Sequence, residues 1–385
     1  MFSSRFHWNL EPNRIARALE EKRRGGVRLL DLTESNPTRA GLDYPAEIVT
    51  AFADRRMLQY DPAPAGLREA REAVARYYAA RGIPVEPERI LLTASTSEAY
   101  GYLFKLLADP GDEVLVPRPS YPLFEYLATM ESVKVRPYPL VYYGSWQIDW
   151  DELAATVSER TRAIVVVNPN NPTGSYVKTG ELEKLAKLCA ERHIALISDE
   201  VFSDYAFGAD AERAASVASL DGGLAFALSG LSKIAGLPQM KLGWIVAAGA
   251  KEQRRRAVER LEWVADTYLS VGTPVQWAAA RLLAAGESVR EQIRKRTAEN
   301  LAFAREALRG TEANLLSVEG GWYATLQVPR VRSEEEWVLE LLERADTLVQ
   351  PGYFFDFDSE AYLVASLLTA RAVFEEGISR LMRFL

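Results

Sequence analysis

The stretch Arg162-Ala-Ile-Val-Val-Val-Asn-Pro-Asn-Asn-Pro-Thr-Gly174 decides the architecture. Its first half, AIVVV, is a continuous apolar run of strand length, the pattern of a strand covered on both faces. Its second half sets two prolines and a glycine in a tight loop straight after that strand. The run IALISDE at 194–200 repeats the plan, an apolar strand with acidic residues at its end. Five further runs read as strands: Ile90–Ala94, Glu113–Pro117, Val133–Tyr138, Leu224–Ser229 and Gly243–Ala247. Helical patterns fall between most of them, at Ser97–Leu107, Tyr121–Met130, Asp149–Val157 and Glu181–Arg192. Alternating strand and helix predicts an α/β three-layer sandwich, a mostly parallel seven-stranded sheet with helices on both sides.

Beyond Ala247 the character changes. Residues 251–310 read as long helices rich in Arg, Glu, Ala and Leu, followed by strand-like segments around a helix at Glu334–Ala345. This predicts a smaller α+β domain. The expected division is a large domain at 45–275, with 1–44 and 276–385 together forming the small one.

Composition narrows the class. The 385 residues are 48% apolar and 26% charged, a globular balance, with a formal net charge of −7. No basic stripe runs along the chain, which argues against nucleic acid; Lys22-Arg23-Arg24 and Arg254-Arg255-Arg256 read as solvated helix faces. The single cysteine, Cys189, permits no intramolecular disulfide and sits in a helical pattern as a small hydrophobe. His7 and His193 lie far apart with no other ligand spacing, so no metal site is expected. The start, MFSSRFHWNLEPNR, lacks the apolar stretch of a signal peptide, and no run of about 18 apolar residues exists. A cytoplasmic protein that does not enter a membrane is the expectation.

Ligands of open α/β sheets sit beyond the carboxyl ends of the strands. The polar residues in need of explanation follow strands there. Lys233, in Ser229-Gly-Leu-Ser-Lys233, lies in a small, partly apolar loop. Burial disfavours its charged form, and an unprotonated lysine forms a Schiff base with an aldehyde. Asp199 ends its strand with a carboxylate suited to keeping a pyridinium nitrogen protonated, so that the ring serves as an electron sink. The loop after Asn168 is rigid enough to present an Asn amide to a ring hydroxyl. Ser95, Thr96 and Ser97 stand between a strand and a helix, where backbone N–H groups and hydroxyls make an anion site. Tyr121 is placed to stack on a planar ring. Taken singly, each has a plain structural reading: a surface lysine, a helix cap, a turn, a packed aromatic.

Together the motifs LLDLTESNPT, YDPAPAGLREA, LTASTSEA, PRPSYPLFE, NPNNPTG, ISDEVF and SGLSKIAGLPQMKLGW, in this order and spacing, resemble the class I/II aminotransferase family of fold-type I pyridoxal phosphate enzymes. The resemblance runs from about residue 30 to the C-terminus. It implies a Schiff base on Lys233, Asp199 on the pyridine nitrogen, Asn171 on the ring 3-hydroxyl, Ser95, Thr96 and Ser97 on the phosphate, and Tyr121 on the ring face. Tyr60 matches a tyrosine that in relatives reaches the phosphate of the neighbouring subunit, which implies a homodimer with active sites at the subunit interface. The implied substrates are a small-molecule amino donor and a keto acceptor.

Three positions depart from the family pattern. Phe202 stands where relatives usually carry a tyrosine, removing a phenolic donor to the ring oxygen. Lys241 replaces the phosphate-side arginine, keeping charge but losing the bidentate fork. Val364 occupies the position of the arginine that clamps a substrate α-carboxylate, and Arg371 is the nearest arginine after it. The departures at Phe202 and Val364 keep a lyase outcome open, C–S β-elimination or decarboxylation. A non-catalytic cofactor-binding regulator is the third reading, disfavoured because no helix-turn-helix pattern precedes the resemblance.

Overall fold

The computed structural model describes residues 2–6, 8 and 11–385; His7 lies outside them. The main sheet holds the seven expected strands, now bounded as Ile90–Thr93, Glu113–Arg118, Lys134–Tyr142, Thr161–Val167, Ala195–Asp199, Leu224–Gly230 and Gly243–Gly249. An eighth, Trp146–Ile148, pairs antiparallel with Lys134–Tyr142 across a turn in which Gly144 takes a φ of 78°. Three residues are too few for alternation to reveal. Across the sheet the strands beginning at residues 90, 243, 224, 195, 161, 113, 134 and 146 lie side by side in that order. Gly243–Gly249 runs antiparallel to both its neighbours, so Ile90–Thr93 points the same way as the central parallel strands.

Both faces of this sheet are covered because its strands are apolar on both sides. Ile90, Ile164, Leu196 and Ala225 face one core with Leu182, Leu185 and Cys189 of the helix Thr179–Arg192. Leu91, Val165, Ile197 and Phe226 face the other, with Ala99, Leu103 and Phe104 of the helix Thr96–Leu107 and Leu261 of Lys251–Tyr268. Cys189 is buried, and burial pushes its thiol up to about 12. The helix Thr179–Arg192 stops at His193, which takes the left-handed conformation of a C-terminal cap.

The helix expected from Tyr121 starts only at Phe124. Pro122 disfavours helical dihedrals in the residue before it, and so leaves Tyr121 in the loop.

A second core gathers Leu301 and Ala304 with Leu326, Trp337, Leu363 and Phe374. Its sheet has four strands, Asn314–Leu315, Tyr323–Gln327, Tyr362–Ser366 and Gln350–Pro351, paired antiparallel in that order. Its helix Glu334–Ala345 begins at a capping box, Ser333 with Glu336. One of the strand-like segments expected after the helix Glu334–Ala345 is divided: Thr347–Leu348 pairs in parallel with Leu30–Asp31, and Gln350–Pro351 joins the four-stranded sheet. One helix of 35 residues, Thr273–Ala307, serves both cores: Ala278, Leu282 and Val289 face the first, Leu301 and Ala304 the second. Among the described residues, no helix is long and apolar enough to cross a membrane.

Candidate active site

The carboxyl ends of the parallel strands converge on a cavity of about 330 Å³. Ser95, Thr96, Ser97, Tyr121, Asn171, Asp199, Lys233 and Lys241 all line it, joined by Ser35, Phe202 and Tyr323. Most of them stand where a strand of the main sheet gives way to a loop or a helix start, while Lys241 and Tyr323 stand just before or at the start of a strand.

One end is built for an anion. Ser95 caps the helix Thr96–Leu107, its Oγ accepting the Glu98 N–H at 3.1 Å. The next two hydroxyls, Thr96 and Ser97, sit on the first turn, where unpaired N–H groups and the helix dipole favour negative charge. The backbone is packed tightly beside them. A Cβ on Gly243 would lie 3.1 Å from the Ser95 carbonyl carbon, and one on Gly230 would lie 2.9 Å from the Gly243 Cα. These two glycines let the strands Leu224–Gly230 and Gly243–Gly249 meet at the cavity floor. Lys241, exposed and left-handed at φ 50°, adds a cation to the same cavity.

Asp199 is only 7% exposed. Burial pushes its carboxyl up to about 6, against the opposing pull of the Val201 N–H, the Tyr100 hydroxyl and the charge of Lys233. Tyr100 donates to Oδ2 at 3.2 Å and the Val201 N–H to Oδ1 at 3.2 Å. Two neutral donors do not compensate a buried carboxylate, so the site is short of a cation at this point. Lys233 carries the complementary perturbation: burial brings its amine down to about 8, with Asp199 opposing. Tyr121 is pushed up to about 12, by burial first and then by the charge of Asp199, so its hydroxyl stays protonated.

Asn171 is buried, and its Oδ1 has no hydrogen-bond partner. Its neighbour Asn170 is fully engaged instead, with Ser120, Pro119 and Thr173, and holds the loop in shape. The division of labour is clear: Asn170 builds the loop, and Asn171 keeps a hydrogen-bonding group free at the cavity.

These observations fit pyridoxal phosphate. An amine of lowered pKa suits its aldehyde, an uncompensated carboxylate its ring nitrogen, an unspent amide its ring hydroxyl, and a helix N-terminus with hydroxyls and Lys241 its phosphate.

Tyr60 is not brought to this cavity. It stands 72% exposed on the loop that follows the turn Arg55–Leu58. Val364 is wholly buried among Trp146, Leu316, Phe355 and Phe357, an apolar cluster behind Tyr323. Arg371 pairs with Glu375 and Glu299 on the surface. Sequence reasoning missed Tyr100, Tyr323 and Trp322. Tyr100 was hidden in an amphipathic helix, where an aromatic reads as core. The other two reach the site only through the second core's sheet.

The chain matches a known family over most of its length. The family model for aminotransferase class I and II matches residues 27–370. The chain is 28% identical over 376 residues to the glutamate-pyruvate aminotransferase AlaA of Haemophilus influenzae, covering 95% of this chain and 92% of that protein. It is 31% identical over 280 residues to AlaA of Escherichia coli K12, 72% of this chain and 68% of the other. Among solved structures, an alanine aminotransferase from Pyrococcus furiosus superposes with a TM-score of 0.89 at 25% identity, covering 100% of this chain and 99% of that one. With the cavity described above, these matches establish that the chain belongs to the class I and II aminotransferases, a family of pyridoxal phosphate-dependent transferases.

Proposed function

We propose that Lys233 is the residue through which this aminotransferase holds its cofactor and relays the proton as an amino group passes from a donor to a keto acceptor. The observation that carries this reading is the pairing of Lys233 and Asp199 on one cavity, an amine brought down to about 8 beside a carboxyl pushed up to about 6.

When bound, pyridoxal phosphate supplies an aldehyde for the amine and a conjugated ring that spreads the electron pair left as the donor's α-carbon loses its proton. Lys233 Nζ would hold the cofactor by its aldehyde and, when free of it, would take up and return the proton at the donor's α-carbon; a pKa near working pH suits both directions. Asp199 keeps the ring nitrogen protonated, and the Tyr100 hydroxyl fixes the carboxylate's orientation. Asn171 orients the ring hydroxyl in place of the phenol that Phe202 lacks. Thr96, Ser97, the cap at Ser95 and Lys241 hold the phosphate. Tyr121 covers a ring face and keeps water out.

The names of the relatives point to small amino acid and keto acid pairs, alanine, glutamate and pyruvate among them. With Val364 buried in an apolar cluster, a substrate carboxylate meets the Ser35 and Tyr323 side of the cavity without a guanidinium from that strand. The same proposal includes a homodimer in which Tyr60 of one copy reaches the phosphate of the other; Tyr60, Leu58 and Trp263, all exposed, support it. It includes a large cofactor-holding unit at 45–275, a small unit made of 1–44 and 276–385, and a cytoplasmic location, which the lone buried cysteine suits.

Borohydride reduction of the holoenzyme followed by peptide mapping tests the central assignment. The label is expected on Lys233, and the Lys233→Ala variant is expected to take none and to lose turnover. A label on a different lysine would refute the assignment. Alanine, glutamate and amines without a carboxylate, compared by bleaching of the cofactor's absorption band, will rank the donors.

A further inference from the structure

Lys233 Nζ makes no hydrogen bond or salt bridge among those found for the described residues. Its close partners are two ring faces. Nζ lies 5.0 Å from the centroid of Trp322 and 5.5 Å from that of Phe202. Both rings are buried, Trp322 wholly. They form part of a row. Trp322 meets Phe202 edge to face at 5.2 Å and, on another side, meets Tyr205 at 5.2 Å. Tyr205 in turn donates its hydroxyl to the backbone carbonyl of Lys233. One aromatic row thus grips the lysine at both ends, Tyr205 at its main chain and Trp322 with Phe202 at its tip.

The row lies within the first core and ties it to the small sheet. Phe202 and Tyr205 follow the strand Ala195–Asp199 of the main sheet. Trp322 immediately precedes Tyr323–Gln327 of the small sheet, and its carbonyl accepts the Leu367 N–H at 2.7 Å. A cation over two ring faces is attracted by their quadrupoles, most strongly where water is excluded. Leaving the indole Nε1 of Trp322 buried without a partner is a cost that packing alone does not explain.

We propose that Trp322 and Phe202 are positioning residues that cradle the Lys233 ammonium whenever Nζ is not bonded to the cofactor, keeping the released base beside the reacting carbon. The proposal rests on Lys233 being the residue that takes up the cofactor. The titratable groups around Nζ are Asp199 at the end of its strand, and Tyr121, Tyr323 and Lys241 on the walls of the same cavity. None of them is altered by changing either ring.

The test uses cofactor-free protein, so it does not depend on turnover. Capture of added pyridoxal phosphate needs the free amine, and its rate, followed by absorbance, is expected to rise with pH through about 8 in the unmodified protein. Trp322→Leu and Phe202→Leu keep the site apolar but remove a ring face. Each is expected to lower that midpoint by about half to one and a half pH units, roughly three- to thirty-fold in proton affinity. Phe202→Tyr keeps a ring and should leave the midpoint in place. The direction discriminates: a substitution that merely opened the site to water would raise the midpoint, because hydration favours the ammonium. A midpoint unmoved or raised in both leucine variants overturns the cradle. Should Trp322→Leu fail to fold, Phe202→Leu, on the cavity wall, decides alone. If the unmodified protein captures no cofactor on Lys233, the functional reading falls and the cradle with it; capture with an unmoved midpoint sinks only the cradle.

Discussion

Asp199 shows how a single side chain is held against its own preference. A carboxyl whose folded pKa lies above its unfolded value stabilises the fold fully below the unfolded pKa, and loses that stabilisation as pH rises through the folded one. For Asp199 the window runs from about 4 to about 6. Above it, the cofactor-free protein carries an ionised buried carboxylate at a cost of about 3 kcal/mol. Asp199→Asn is therefore expected to melt at a higher temperature than the parent when both lack cofactor at pH 7.5. That advantage should vanish below pH 4, and the variant should retain pyridoxal phosphate poorly on dialysis. A variant that melts lower at pH 7.5 would contradict the burial argument. The same logic explains why the residue is worth its cost: it becomes favourable only when a cation arrives.

At the scale of elements, a buried glutamate shapes the wall of the cavity. Glu334, in the first turn of Glu334–Ala345, is 2% exposed. Its Oε2 accepts the Tyr353 N–H at 2.6 Å and its Oε1 the Tyr362 N–H at 2.7 Å. Those bonds close the loop between Gln350–Pro351 and Tyr362–Ser366. The loop carries Phe355, whose carbonyl accepts the Ser120 N–H and whose ring lies 6.3 Å from that of Tyr323. Glu334→Ala would strip two part-buried N–H groups of their acceptor, at a cost of about 1 kcal/mol each. The expected outcome is a lower melting temperature and a raised KM for donors. Glu334→Gln keeps one acceptor and should fall between. An unchanged KM in the alanine variant would separate this loop from substrate binding.

For the molecule as a whole, the exposed apolar side chains need an explanation. Leu58 is 80% exposed, Tyr60 72% and Trp263 80%. Scattered exposed apolar residues are ordinary, but Leu58 and Tyr60 stand two residues apart at the end of the turn Arg55–Leu58, and Trp263 on the helix Lys251–Tyr268. Sedimentation equilibrium is expected to give twice the chain mass of 43.0 kDa. Leu58→Asp is expected to shift the protein toward a single chain and weaken cofactor retention together, if Tyr60 serves the neighbouring site. A monomeric parent with full cofactor occupancy would end that proposal.

Local sequence determined the sheet and most of the cavity, because strand, loop and helix start are encoded within a dozen residues of one another. The apolar run ending at Val167, the rigid loop holding Asn171, the acid at 199 and the lysine at 233 could be placed at strand ends from their own neighbourhoods, though only the order and spacing of all the motifs gave them roles. Pro122 shortened a helix by a rule legible in the text, though the start of that helix was expected three residues earlier. Tertiary structure alone decided which distant residues complete the site. Tyr100 turns from a helix toward Asp199 across 99 residues of chain. Trp322 reaches Lys233 from the segment that opens the small sheet, 89 residues further along the chain, and Val364 proves to be buried behind Tyr323. Contacts of this kind depend on how two separately patterned cores pack on the shared helix Thr273–Ala307, and no periodicity within either segment records the distance between them.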